Sequence, residues 1–274
     1  MTTRLPTYFI SHGGGPWPYL DGAFRRAFDK LEQSLLDIRN ELGDTPRAVL
    51  VISGHWEENG FAISSGEQPG MVYDYSGFPE HTYHIRYGAP GHPELAQRVQ
   101  ELLHAGGIQA CLDPERGYDH GTFSIMKPLY PREDISIVQL SIDRGYDPEL
   151  HLQLGRLLAP LRDEGVLIIG SGLSYHNLRD ARSIVGIEPS RVFDTWLHKT
   201  VVAASPEERT QRLINWESAP SARAAHPQED HLIPLMVAVG AAENEAGAVV
   251  YHQKDLFGGI TASSFRFGDV PTAP

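Results

Sequence analysis

Residues 48–55, Ala-Val-Leu-Val-Ile-Ser-Gly-His, form an apolar run that stops at a glycine and a histidine. Such a run is typical of a strand buried on both faces, as in a parallel sheet. Residues 7–12, Thr-Tyr-Phe-Ile-Ser-His, repeat the arrangement, and residues 166–172 end in Gly-Ser-Gly shortly before His176. Because ligands of parallel α/β sheets bind outside the carboxyl ends of the strands, we expect these histidines to converge at one edge.

The rest of the chain alternates strand patterns with helical patterns. We predict strands at residues 7–11, 48–53, 135–142, 166–169, 248–252 and 262–267, and helices at residues 22–42, 93–105, 148–161, 190–204 and 231–242. This alternation favours a mostly parallel central sheet flanked by helices. The 274 residues therefore predict a single α/β domain, residues 1–274, with a metal site at the carboxyl ends of the strands.

Composition and charge exclude several classes of function. The formal net charge of −12 argues against binding to nucleic acid, which needs clustered lysine and arginine. No apolar run reaches the roughly 20 residues of a membrane-spanning helix, and the first residues lack the apolar core of a signal peptide, so we expect a cytoplasmic protein with no membrane partner. The single cysteine excludes a thiolate-rich metal site, whereas 13 histidines are a surplus.

His12 and His55 are the first candidate metal ligands. His12 lies in His-Gly-Gly-Gly-Pro, where the glycines let a ligand approach the backbone closely. Some esterases use His-Gly-Gly-Gly in an oxyanion hole, but the Gly-x-Ser-x-Gly turn that they also need does not occur with the right spacing. After His55, Trp56 could form a wall of the site, and Glu57 or Glu58 could orient the imidazole.

Two histidines in the middle of the chain suit chemistry rather than ligation. His120 lies in a polar stretch bounded by glycines that predicts a loop, where it could bond to substrate or oxygen. Its own hydrogen-bond partner is expected from elsewhere in the fold rather than from Asp119. His176 follows a strand and could act as a general base, although Ser174 and Asn177 also suit the start of a helix.

The last candidate ligands surround Pro-Gln-Glu-Asp near residue 230. His226 and His231 are five residues apart, so they do not share one face of a regular helix, and we expect only one of them to bind the metal. Glu229 and Asp230 are rival ligands, because a carboxylate would complete a triad of two histidines and one carboxylate. The other histidines are expected to be surface or structural residues: His81, His84, His92, His104, His151, His198 and His252.

Five motifs in one order resemble the class III extradiol ring-cleavage dioxygenases, most closely their DOPA 4,5-dioxygenase branch, which is related to the catalytic subunit of protocatechuate 4,5-dioxygenase. The motifs are Ser-His12-Gly-Gly-Gly-Pro, Ile-Ser-Gly-His55-Trp, Gly-Tyr-Asp-His120-Gly, Gly-Ser-Gly-x-x-x-His176-Asn-Leu and Glu-Asp-His231-Leu-Ile-Pro-Leu. Residues 77–92 and 138–143 also resemble this branch. The resemblance runs from about residue 8 to the end of the chain.

The resemblance implies a role for each of the five histidines. Three of them match the metal ligands of the DOPA branch: His12, His55 and His231. His176 matches the acid–base histidine, and His120 matches a histidine that contacts substrate or oxygen. Glu229 stays an alternative because the third ligand of the protocatechuate branch is a glutamate, and His226 stays open as well. The expected cofactor is one divalent metal per chain, Fe(II) for activity, with Zn(II) as an occupant that such a site also suits.

The implied reaction inserts O2 next to the diol of a catechol-type substrate, with DOPA-like catechols among the candidates, and gives a muconic semialdehyde. Four residues match substrate-facing positions of the branch, although an exposed polar strand would explain them equally: His81, Tyr83, His84 and Arg86. Two other functions stay open, namely a zinc-dependent hydrolase on the same site and a non-enzymatic binding protein of the same fold. The sequence leaves the oligomeric state open, a homo-oligomer included.

Overall fold

The computed structural model describes residues 4–43 and 45–270, and in this part of the chain a sheet of eight strands organises the fold. The strands are β1 (Thr7–Ser11), β2 (Ala48–Glu58), β3 (Phe61–Ser64), β4 (Ala110–Asp113), β5 (Ser136–Asp143), β6 (Val166–Gly172), β7 (Gly247–Leu256) and β8 (Ile260–Phe267). Their order across the sheet is β4-β3-β5-β2-β6-β1-β8-β7. The four central strands run parallel, and antiparallel pairs occur on either side of them. The prediction of a mostly parallel central sheet is confirmed.

Helices cover both faces of this sheet. They are α1 (Gly22–Arg26), α2 (Asp29–Leu42), α3 (Pro93–Ala105), α4 (His120–Leu129), α5 (Pro148–Leu158), α6 (Ile184–His198), α7 (Pro206–Ile214), α8 (Ala222–Ala225) and α9 (Ile233–Gly240). Ser171 of β6 donates to the carbonyl of Gly121 in α4, whereas a Cβ on its neighbour Gly170 would meet the carbonyl of Pro234 in α9. Because successive residues of a strand face opposite ways, α4 and α9 lie on opposite faces.

The register of the central strands brings their carboxyl ends to one level. Ser11 at the end of β1 pairs with Gly172 of β6, and Ser53 of β2 pairs with Ser171. His12 follows Ser11 directly. The regular pairing of β2 with β5 is interrupted between Ile52 and Glu57, the stretch that contains His55. The parallel pairing therefore places the residues that follow β1 and β6 beside those in the last part of β2.

The core lies on both faces of the central strands. Every residue of β6 is buried, and so are residues 48–54 of β2. Burial on both faces explains why these strands are continuous apolar runs rather than alternating patterns. Among the residues described here, no helix has both the length and the apolar character needed to cross a membrane.

The boundaries of several elements differ from the prediction. β1 and α3 begin and end at the predicted residues, but the helix predicted at residues 22–42 is divided into α1 and α2, and α9 begins only at Ile233. The short strands β3 and β4 were not predicted. The loop predicted around His120 is wrong, because α4 begins at that residue. Asp119 starts this helix by accepting a hydrogen bond from the backbone N–H of Thr122.

Candidate metal centre

Three imidazole rings from different parts of the chain meet at the carboxyl edge of the sheet. His12 follows β1, His55 lies in the last part of β2, and His231 lies just before α9. Nε2 of His55 is 3.2 Å from Nε2 of His12 and 3.0 Å from Nε2 of His231. His12 and His231 are buried, and His55 is partly exposed. The three nitrogens form a compact donor set that could hold one metal ion.

Two glycines allow the backbone to approach closely enough for this arrangement. A Cβ on Gly172, the last residue of β6, would lie 2.1 Å from the carbonyl oxygen of His231. Gly13 has a φ of +87°, and a Cβ there would lie 2.8 Å from the Trp17 ring. Trp17 in turn donates from Nε1 to the carbonyl of His12 at 2.9 Å. The glycine-rich turn after β1 thus positions His12 through tryptophan packing.

Two carboxylates hold two of the three imidazoles of the donor set. Oδ2 of Asp230 accepts a hydrogen bond from Nδ1 of His231 at 2.6 Å. Oδ2 of Asp74 lies 3.2 Å from Nδ1 of His55. A carboxylate beside Nδ1 favours the tautomer that carries its hydrogen there, which leaves the lone pair on Nε2. Both rings are therefore held in the tautomer that can bind a metal through Nε2.

The protonation state of the three rings fits a metal ion. Burial, followed by the neighbouring imidazoles, lowers the pKa of His12 and His55 well below the usual value, and the same causes lower the pKa of His231 to about 4. The rings are therefore neutral at neutral pH. Lone pairs on Nε2 atoms that face each other at 3.0 Å repel, and a cation between them removes that repulsion. The donor set thus suits a divalent metal better than it suits a shared proton.

His120 stands beside the donor set at the start of α4. The centroid of its ring is 3.8 Å from that of His55. Its Nδ1 donates to Oδ1 of Asp74 at 2.9 Å, and its backbone N–H donates to the same oxygen at 3.1 Å. The expectation that its partner comes from elsewhere in the fold is confirmed. Asp74 therefore holds one ring of the donor set and one ring outside it.

His176 stands on the other side of the donor set. Its ring stacks on that of His231 with the centroids 3.4 Å apart. Its Nδ1 lies 3.5 Å from Oδ1 of Asp230, the carboxylate that also holds His231. Burial alone would raise the pKa of Asp230, but the adjacent His176 and His231 outweigh it and lower that pKa far below the usual range. The carboxylate is therefore ionised and can hold both rings.

A cavity of about 490 Å³ is lined by all five of these histidines. Most of its other lining side chains are apolar or aromatic, among them Phe24, Phe28, Tyr75, Phe78, Tyr175 and Phe257. Arg182 is the only lysine or arginine among the described residues that line it, and the guanidinium lies 5.6 Å from the ring centroid of Phe24 and 5.3 Å from that of Phe257. A flat aromatic molecule with an anionic substituent fits such a lining.

The three alternative ligands lie outside the donor set, Asp230 because it holds the ring of His231 from behind. The ring of His226 is buried, with Nε2 3.1 Å from the carbonyl of Ser174, and burial lowers its pKa to about 3. Glu229 pairs with Arg223 at 2.6 Å. Among the residues that the structure describes, neither His226 nor Glu229 belongs to a group of donor atoms able to hold a metal. His231 alone joins the donor set from this part of the chain.

The segment that resembled a substrate-facing region borders the cavity through other residues than expected. Three of the four expected residues line a separate cleft of about 830 Å³: Tyr83, His84 and Arg86. The fourth, His81, has Nε2 at 3.2 Å from a backbone carbonyl and does not line the cavity either. Phe78 of the same segment and Tyr75 just before it do line it. The aromatic rings of Tyr75 and Phe78 and the glycine between them were the sequence signal for this part of the cavity wall. The prediction relied instead on the polar residues that follow.

The residues that follow His55 do not support its ring. Glu57 accepts a hydrogen bond from the hydroxyl of Tyr146 at 2.7 Å. Trp56 donates from Nε1 to Glu58 at 3.1 Å and does not line the cavity. The expectation that Trp56 walls the site and that Glu57 or Glu58 orients the imidazole is therefore wrong. The orienting carboxylate comes from a later loop, where no pattern in the sequence marks it.

Residues 6–268 match one family model, described as the catalytic LigB subunit of aromatic ring-opening dioxygenase. The chain belongs to this family. The resemblance drawn from the five motifs is thereby confirmed, and with it the prediction of an aromatic ring-opening dioxygenase, an oxidoreductase. The family match also agrees with the histidine and aspartate groups that could hold a metal.

Relatives match this LigB-family chain over almost its whole length. A protein from Beta vulgaris named 4,5-DOPA dioxygenase extradiol is 38% identical over 267 residues, covering 95% of this chain and 96% of the relative. A protein of the same name from Portulaca grandiflora is 35% identical over 271 residues, covering 96% of each chain. The crystal structure of an uncharacterised protein from Escherichia coli K12 superposes with a TM-score of 0.77 at 29% identity and covers 97% of this chain and all of that one.

Replacing Asp74 by asparagine is expected to weaken metal binding about 10- to 100-fold, as is usual when the carboxylate behind a histidine ligand is lost. The asparagine amide has only one oxygen that can accept a hydrogen bond, whereas the two carboxylate oxygens of Asp74 contact Nδ1 of His55 and Nδ1 of His120. Metal affinity measured by competition with a chelator checks this. Glu57→Gln is the matched control because Glu57 contacts Tyr146 and not His55. Equal affinity of the two variants would contradict the role given to Asp74.

Proposed function

We propose that this protein cleaves the ring of a catechol-type substrate beside its diol, using one divalent metal that is Fe(II) in the active enzyme. The observation that carries the proposal is the set of three neutral imidazoles at the edge of an aromatic cavity that also holds His120 and His176. Relatives named 4,5-DOPA dioxygenase extradiol support it. Both atoms of O2 enter the product, a muconic semialdehyde.

His12, His55 and His231 would hold the metal through Nε2. When bound, the ion supplies open coordination positions and lowers the pKa of a substrate hydroxyl that it contacts. Because all three ligands are neutral, a catecholate supplies the negative charge that the donor set lacks. The same donor set suits Zn(II), so zinc in the purified protein is compatible with an iron enzyme.

His176 serves as the acid–base group. Its Nδ1 lies 3.5 Å from Asp230, which leaves Nε2 to take a proton from a substrate hydroxyl and to return it to the product. His120 is held by Asp74 through Nδ1, which leaves its Nε2 to bond to a substrate oxygen. The aromatic rings of the cavity wall exclude water from this space and pack against the substrate ring. Each of the two carboxylates thus orients one proposed ligand and one proposed reactive imidazole: Asp74 holds His55 and His120, and Asp230 holds His231 and His176.

Arg182 favours substrates in which the catechol carries a side chain with a carboxylate. DOPA-like compounds belong to this class. Arg182 forms no ion pair with any residue in the described part of the chain. The cavity volume of about 490 Å³ leaves room for a side chain beyond the ring itself. A guanidinium binds a carboxylate in a bidentate manner, so an anionic substituent supplies the partner that this arginine lacks.

Replacing Arg182 by alanine is expected to lower kcat/KM for DOPA on the order of tenfold, mostly through KM, because an exposed charge pair is screened by solvent. An uncharged methylcatechol should lose little. Arg179→Ala is the matched control, since Arg179 is exposed in the same segment but does not line the cavity. Steady-state kinetics with both substrates check this. An equal loss of kcat/KM for both substrates would show that Arg182 does not bind the substrate carboxylate.

Anaerobic reconstitution with Fe(II), followed by catechol and O2, tests the proposed function. We expect a yellow product and uptake of one O2 per substrate consumed. If the iron-loaded protein turns over no catechol, the proposal fails. Zinc-loaded protein assayed with esters and amides tests the hydrolase alternative, and substrate binding without turnover in either form would favour a binding protein.

A further inference from the structure

A second cluster of metal-binding side chains lies between α6 and the hairpin of β7 and β8. Asp194 and His198 occupy successive turns of α6, and His252 lies on β7. One donor atom from each of the three lies within 4.8 Å of the other two. None of them lines the catalytic cavity. The cluster is therefore separate from the metal centre described above.

The distances in this cluster suit a shared ion. Nε2 of His198 and Nδ1 of His252 each lie 3.5 Å from Oδ2 of Asp194. An ordinary N–H···O hydrogen bond is shorter than this. Two ligands of a tetrahedral zinc ion, each about 2.0–2.1 Å from it, lie roughly 3.3 Å apart. The distance from each ring nitrogen to Oδ2 of Asp194 therefore matches that between two ligands of one ion better than that of a hydrogen bond.

Ser263 of β8 holds the three side chains in place. Its hydroxyl donates to Oδ1 of Asp194 at 2.5 Å. The same hydroxyl oxygen lies 3.0 Å from Nε2 of His198 and 2.9 Å from Nδ1 of His252. Because this hydroxyl gives its hydrogen to Asp194, each of the two ring nitrogens donates its own hydrogen to the hydroxyl oxygen. An ion that binds here takes the place of those two hydrogens, which move to the other nitrogen of each ring, and Oδ2 of Asp194 faces both rings as the third ligand. The carboxylate is fixed through one oxygen and presents the other to an ion.

Burial and access also suit an ion at this position. The side chain of Asp194 is 7% exposed, so its charge is poorly hydrated. The side chains of His198 and His252 are 30% and 29% exposed, so an ion can enter from solvent between them.

We propose that Asp194, His198 and His252 bind a second divalent cation of the class that prefers imidazole and carboxylate ligands, such as Zn(II). The ion ties α6 to the hairpin of β7 and β8. The turn of that hairpin carries Phe257, which lines the catalytic cavity, so the ion stiffens one wall of that cavity. The proposal does not depend on the reaction that the catalytic site performs.

The number of zinc ions retained per chain tests this site. The full chain is incubated with excess Zn(II), desalted and analysed for zinc. We expect two ions in the wild type and one in His252→Ala, whose side chain is partly exposed. Asp194→Asn should also retain one ion, because the amide keeps the shape and the bond to Ser263 but loses the charge. Circular dichroism verifies that both variants keep the fold.

The matched control is His84→Ala. His84 lies 3.1 Å from Glu80, so it offers a histidine and a carboxylate without the third donor. This variant should retain two ions like the wild type. Equal zinc content in the wild type and in both variants of the cluster would overturn the proposal, whatever the catalytic site retains. Turnover is not measured, so failure here is distinct from failure of the proposed catechol chemistry.

Discussion

His176→Ala is expected to keep the metal and to lower the rate of ring cleavage by a factor on the order of 10² to 10⁴, the usual contribution of a general acid–base group. The ring of His176 stacks on His231 but contributes no atom to the donor set of three Nε2 atoms. The measurements are metal content and kcat of the Fe(II)-loaded variant.

His12→Ala is the opposite case and tests the same division of roles. It removes one of three nitrogen ligands, and Nε2 of His55 loses the neighbour at 3.2 Å. We expect the catalytic metal to be lost on desalting, and turnover with it. The His252→Ala background keeps the second cluster from contributing to the iron count. If His12→Ala retained iron while His176→Ala lost it, the assignment of ligands and acid–base group would be reversed.

The sequence predicted that His12 and His55 would meet, because both lie at the ends of buried parallel strands. Parallel pairing of Ser11 and Ser53 with the end of β6 places His12 and His55 at one edge, and buried parallel strands are visible as apolar runs. The position of His231 was not accessible in this way. It precedes α9 by a turn, and only the resemblance to a family indicated that it joins the other two.

The carboxylates could not be predicted from local patterns. Asp74 lies in an irregular segment that reaches His55 and His120 only after folding, and nothing in its neighbours distinguishes it from a surface aspartate. Glu57 was the better candidate by proximity in sequence, yet β2 directs it to Tyr146. Hydrogen-bond partners of ligands depend on tertiary contacts between loops, so they are the part of a site that sequence patterns indicate least.

Gly172→Ala is expected to destabilise the protein by about 1–3 kcal/mol or more, the usual cost of overpacking, and to weaken metal binding at the same time. The added Cβ would lie 2.1 Å from the carbonyl oxygen of His231. Gly172 is held by its pairing with Ser11 in β1, so β6 cannot retreat. The backbone of His231 must therefore move, and its Nε2 moves away from that of His55.

Substitutions at two further glycines serve as comparisons for Gly172→Ala, because an added Cβ meets less crowding there. A Cβ on Gly54 would lie 2.9 Å from the carbonyl oxygen of Asp230, so Gly54→Ala should have a smaller effect of the same kind. A Cβ on Gly70 would meet nothing within 4 Å, so Gly70→Ala should change neither property. Thermal unfolding of the metal-free variants measures the steric cost alone, and chelator competition measures affinity. If Gly172→Ala lowered the melting temperature but bound metal normally, the close contact would support the fold without positioning His231. A loss of affinity ordered as Gly172, Gly54 and Gly70 would show that the backbone packing of β2 and β6 against residues 230 and 231 sets the spacing of the donor set.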